Sequence, residues 1–197
     1  MAPPSYLFKV QLRDISSPEI YRVLRVPANT TFHRLHKILQ TTFGWEDAHM
    51  YEFQLFDAAS RDYRPKEYLV EHPVDMDTGM AAAMGEPEPI YGSSRSRKIS
   101  GVFGGTHRLW RGTQVRMVYE YDMGDGWEHE VELVGTYDED IEPPELLCLA
   151  GSGHPCQEDC GGPFGWERLR ETLVARNDFD PEEWDIDAVN EKLVRMR

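Results

Sequence analysis

Between Arg116 and Arg168 the chain has no lysine and no arginine, while residues 117–167 hold 14 aspartates and glutamates; the rest carries 21 acids against 21 bases, so this one segment accounts for the whole formal charge of -14. Cysteine is scarce: three, an odd number, make no disulfide framework and suit a reducing compartment. No run of 18 apolar residues exists, so no membrane span is expected. The opening from Met1 to Val10 lacks a basic patch followed by an apolar core; no secretory signal is read, and a cytoplasmic location is expected. Gly-x-Gly-x-x-Gly, a Walker loop, a Gly-x-Ser-x-Gly elbow and His-Glu-x-x-His are all missing, so no nucleotide, flavin or metal cofactor is expected. A pI near 4.9 argues against binding phosphate backbones. The basic candidate, Arg95 to Lys98 with Arg108, Arg111 and Arg116, sits in a Gly/Ser-rich setting, and no nucleic-acid partner is expected.

At 197 residues the expectation is one domain with a real core. Leu7 to Arg13 and Ile20 to Val26 alternate around a polar break and predict a hairpin. Asn29, Thr30 or Thr31 caps a helix with Phe32, Leu35, Leu39 and Phe43 on one face and Gly44 as its stop, and Met50 to Phe56 returns as a strand. That order predicts an α+β fold with a β-grasp-like mixed sheet and one packed N-terminal helix. Residues 57–98 read as a long loop or lid-like insertion. A later antiparallel hairpin, Gln114 to Tyr121 and Trp127 to Val134, turns through Asp122 to Gly126. Two C-terminal helices follow: Pro163 opens one, with Trp166, Leu169 and Leu173 as its stripe. Asp180 with Pro181 caps the other, lined by Ile186, Val189, Leu193 and Met196.

In the second hairpin strand Trp127, His129, Val131 and Leu133 share one face, and Glu128, Glu130 and Glu132 the other. His129 therefore points inward, either as a satisfied core histidine or as a proton-transfer group. Its companions in the acidic segment are Tyr119, Tyr121, Trp127, His154, Glu158 and Asp159. A carboxylate raises an imidazole pKa and burial lowers it, so such a pair is poised for acid–base work. The acids Asp122, Asp125, Glu158 and Asp159 would gather around a cation or cationic substrate, or, for Asp122 and Asp125, simply bond the turn backbone. Cys148, Cys156 and Cys160 with His129 or His154 supply zinc-type ligands, but without a strong C-x2-C spacing; no metal is assigned.

Several of these motifs, Tyr121 to His129, Glu158 to Gly162 and Gly165-Trp166, together with Pro18 to Arg22, Leu35 to Gln40, Phe43-Gly-Trp-Glu-Asp-Ala-His49, Tyr51 to Phe53, Phe179 to Glu182 and Asp187 to Asn190, resemble the plasmid pRi third-open-reading-frame-like family. The resemblance covers most of the chain apart from residues 57–98. It implies a single α+β domain more than an activity, since members mostly have no assigned activity. The chain departs from many bacterial members at Pro155, which stands where they carry the first of two cysteines, leaving Cys156-x3-Cys160.

The expected function is a cofactor-independent enzyme of isomerase or cyclase type acting on a small-molecule substrate, by acid–base or shape-driven cyclisation that extends to intramolecular cycloaddition. His129, Glu158 and Asp159 would handle protons, and Tyr119, Tyr121, Trp127, His154 and Asp122 would contact the substrate. The rival is a non-catalytic protein-interaction module with an acidic face.

Overall fold

The alternating stretches at the start of the chain become the paired strands β1 (Ser5–Ser16) and β2 (Glu19–Pro27), whose apolar alternates Phe8, Val10, Leu12, Leu24 and Val26 are fully buried. The computed structural model describes residues 5–61, 63–73, 90–137, 146–176 and 179–196. Helix α1 (Phe32–Phe43) starts at Thr31, whose side chain accepts a bond from the Arg34 N–H, and stops at Gly44 in the left-handed region. It lays Phe32, Leu35, Ile38, Leu39 and Phe43 into the core.

The remaining strands are β3 (Tyr51–Asp57), β4 (Glu67–Val70), β5 (Ile90–Ser93), β6 (Val115–Tyr121), β7 (Trp127–Tyr137) and β8 (Leu147–Ser152). All eight form one sheet in the order β5-β4-β3-β6-β7-β1-β2-β8, antiparallel except for the parallel pair β4 and β5. The fold is thus α+β with a mixed sheet and four helices among the described residues: α1, α2 (Ile99–Phe103), α3 (Gly162–Ala175) and α4 (Ile186–Val194). None of the described helices is long and apolar enough to cross a membrane.

Two expectations change. Residues 57–98 are more than a loop, because they supply β4 and β5, which extend the sheet beyond β3; the 74–89 part of the expected lid lies outside the described residues. The last helix is capped by Asp185, whose carboxylate accepts the Asp187 and Ala188 N–H bonds, and not by Asp180, which closes a separate turn onto Glu182.

Candidate functional site

Three segments meet at one end of the sheet: residues 45–50 between α1 and β3, the β6–β7 turn and the loop before α3. The turn is held as its composition suggested: Asp122 takes a left-handed conformation (φ 55), and its Oδ1 accepts from the Gly124 and Asp125 N–H groups at 3.0 and 3.4 Å. Asp125 Oδ2 in turn accepts from Gly161 N at 3.2 Å. A Cβ at Gly162 would lie 2.1 Å from the Asp125 carbonyl oxygen, so the turn and the loop touch backbone to backbone and only glycine fits.

Residues 45–50 are stitched to both. Trp45 Nε1 donates to Cys156 O at 2.8 Å, and Glu46 N donates to Glu158 Oε2 at 2.7 Å. Tyr121 stands at the junction: its hydroxyl accepts from the Ala48 and His49 N–H groups and donates to Glu158 Oε1 at 2.6 Å. Burial, and then the adjacent Glu158, raise its pKa, so the phenol stays protonated and serves as a fixed dipole.

At the outer edge of this junction lies His49. Its Nε2 is 3.0 Å from Asp159 Oδ1 and 3.7 Å from Asp122 Oδ2, and Asp159, like Asp122, has φ 55. Neither approach is aligned as a hydrogen bond, and the nitrogen is shielded from solvent without a bonded partner. The side chain as a whole is 32% exposed. Aspartates in left-handed backbone are uncommon away from turns and functional sites. The ligand atoms of His49, Asp122 and Asp159 all lie within 4.8 Å of one another, a set able to hold a divalent cation. Met50 and Met123, which follow His49 and Asp122 in sequence, enter the wall of a cavity of about 270 Å³.

His129 is elsewhere. Its ring is fully buried, edge-on to Phe43 and Trp45 at centroid distances of 4.7 and 5.2 Å, and its Nδ1 is 3.3 Å from Tyr119 O. Burial pushes its pKa down to about 3, so the imidazole is neutral. Trp45 stacks on Tyr121 at 5.2 Å and so stands between His129 and the Glu158 carboxylate. The expected pairing of His129 with Glu158 and Asp159 is therefore corrected: inward on this strand means into aromatic packing.

Tyr119 and Trp127 are corrected in the same way. Both are fully buried, and the Tyr119 hydroxyl is taken up by His36 Nδ1 at 2.8 Å and Gln40 Nε2 at 3.0 Å. His154 faces α3, near-parallel to Trp166 at 6.1 Å and edge-on to Phe179 at 4.6 Å. Of the expected site residues, the fold brings together Asp122 with Asp159 and Tyr121 with Glu158.

Sequence reasoning missed His49, His36 and Asp47. His36 Nε2 lies 2.5 Å from Asp47 Oδ1, and its ring stacks at 3.6 Å on Tyr51. Burial and then the Lys37 ammonium push its pKa down to about 3; a neutral ring donates from Nε2 to Asp47 and accepts the Tyr119 hydroxyl at Nδ1. The signal was the Glu46-Asp-Ala-His49 run, four residues of which three are titratable, between a helix stop and a strand. Burial raises the thiol pKa of all three cysteines, that of Cys148 to about 11.

The chain is 30% identical over 162 residues to the uncharacterized protein y4hQ of Sinorhizobium fredii, an alignment that spans 82% of this chain and 69% of that one. Its fold is similar to the crystal structure of the protein of unknown function MM3350 from Methanosarcina mazei Go1, with a TM-score of 0.73, 27% identity, and coverage of 95% of this chain and 97% of that one. The family model described as plasmid pRiA4b ORF-3-like protein matches residues 4–192, and the chain belongs to that family.

Proposed function

We propose that the chain is a small-molecule enzyme of isomerase or cyclase type that needs no cofactor, with His49 moving the proton and Asp159 and Asp122 orienting its ring. The observation that supports this most is the setting of His49: a partly exposed imidazole flanked by two carboxylates, beside a cavity whose wall contains its neighbour Met50. A positioned imidazole contributes roughly 100- to 10,000-fold to a proton-transfer step. Tyr121 and Glu158 hold the backbone of residues 46–49 in place. His129 serves the packing behind them.

The test begins with a small-molecule screen read on the methyl resonances of Met50 and Met123. Compounds that bind are then assayed for a change in chromatographic retention at constant mass, because isomerisation and cyclisation conserve mass. His49→Gln is expected to lower turnover by about 100-fold or more with the circular dichroism spectrum unchanged. Zinc, which suits the same three ligand atoms, is expected to inhibit. Turnover that survives in His49→Gln and disappears in a folded His129→Gln protein overturns the assignment.

The interaction-module reading draws less support. Of the three glutamates facing outward on β7, Glu128 and Glu130 are already engaged by Arg13, and Arg116 lies 3.7 Å from Glu130.

A further inference from the structure

We infer that the cavity walled by Met50 and Met123 takes a small amine, an ammonium group on an apolar body, with the charge seated at Glu52. This rests on the cavity being the substrate site proposed above, and it names the chemical class of what enters. The wall is mostly apolar: Met50 and Met123, 76% and 42% exposed, with Val70, Tyr91 and Tyr51. Tyr91 is stacked on Tyr68 at 5.2 Å. Thioethers and tyrosine faces are good neighbours for an alkyl or aromatic body and for a cation lying over a ring.

Into that wall projects Glu52, at one end of an uncommon rung. The strand register sets Glu52 opposite Glu120, and Glu120 opposite Glu128, so three carboxylates stand side by side on β3, β6 and β7. Like charges directly opposite one another destabilise a sheet. Arg13 answers Glu128, at 2.6 Å. Glu52 and Glu120 share only the uncharged Gln54 amide, at 2.8 and 2.9 Å, and among the described residues no cation lies within ion-pair distance of either. Burial, the larger cause, holds both carboxyls above the usual range, and for Glu120 the neighbouring glutamates add to it. A half-buried carboxylate with repulsion on one side and an apolar cavity on the other is stabilised by a cation brought in from outside.

The remaining charges exclude the alternatives. Glu71, also in the wall, is bonded to Arg95, and His72 of the wall lies 3.8 Å from the same carboxylate, so among the described residues Glu52 is left as the carboxylate of the wall without a cation beside it, and an anionic ligand would meet it directly. A bare divalent ion would seek a shell of oxygens and water, which methionine and valine do not provide. About 270 Å³ suits one small molecule.

The experiment titrates the full chain, with its methionine methyls carbon-13 labelled, against 2-phenylethylamine, the neutral 2-phenylethanol and the anionic 3-phenylpropanoate at pH 7. The ammonium is expected to shift Met50 and Met123 and leave Met117, buried in the core, and Met196, packed against Thr41, unmoved. It should bind about tenfold or more tightly than the alcohol, and the carboxylate should not bind. Glu52→Gln should remove that advantage and leave the alcohol unaffected; since it also relieves a repulsive rung, its Tm should be equal or higher. Equal binding of alcohol and amine, no shift at either methionine, or an amine advantage that persists in Glu52→Gln overturns the inference. So does tighter binding of a lysine-rich peptide than of the free amine. None of these results depends on turnover, whereas the His49 reading fails on turnover alone.

Discussion

His129 and His49 lie at opposite ends of one run of rings. His129 meets Trp45 edge-on, Trp45 stacks on Tyr121, and Tyr121 meets His49 edge-on at 5.8 Å. At the inner end the imidazole is fully buried, neutral and packed on three sides by aromatic side chains. At the outer end it is partly exposed and flanked by two aspartates held in left-handed backbone. Facing the core and facing a site are different things: burial without space gives a packing residue, and chemistry needs an edge where solvent or substrate reaches the ring.

Acid is the strongest way to test the inner end. His129 and His36 both have folded-state pKa values of about 3 against an ordinary 6.5. Between those values the unfolded chain binds protons that the folded chain refuses. Stability is therefore complete above about pH 6.5 and falls with pH by about 1.4 kcal/mol per unit for each histidine. Glu52 and Glu120 work in the opposite sense over the range just above their ordinary values. Urea unfolding at a series of pH values checks the slope, and His129→Phe should remove one histidine's share; an unchanged slope would show that His129 is not the neutral core residue described.

His129→Ala should cost about 2–4 kcal/mol by leaving a cavity among Phe43, Trp45 and Tyr119. The same change at His49 should cost less than about 1 kcal/mol, since its ring is partly in solvent. Comparable losses at both positions would erase the contrast. A loss of about 1–3 kcal/mol, between those two, is expected for Gly162→Ala, where φ is 68 and the new Cβ would collide with the Asp125 carbonyl. Because the collision parts the turn from the loop, the His49 ring resonances should shift as well; a stable variant with unmoved His49 would show that the glycine contact does not set the site.

Much of the sheet was legible because its strands obey simple alternation. The β6–β7 hairpin follows from Asp122 to Gly126, and the inward set Trp127, His129 and Val131 is buried as period two requires. β4 was not legible. Its Glu67 points inward and is completely buried, against the pattern, because Arg97 at 2.6 Å and the Trp110 indole N–H at 2.6 Å satisfy its carboxylate. Both partners come from segments well downstream. His49 was hidden for a related reason: it lies in a short aperiodic link, and the aspartates that flank it belong to the hairpin turn and the loop before α3.

The sequence by itself determined the fold class, the first helix with its cap and stop, the acidic hairpin and its turn, and the family, because these depend on local backbone preference, side-chain periodicity and motif order. Which histidine reaches the edge of the packing, which carboxylates flank it, and which glutamates stand beside one another without a cation were decided by tertiary structure. Strand register and loop contact bring those groups together from distant parts of the chain, and burial then sets the charge each can carry.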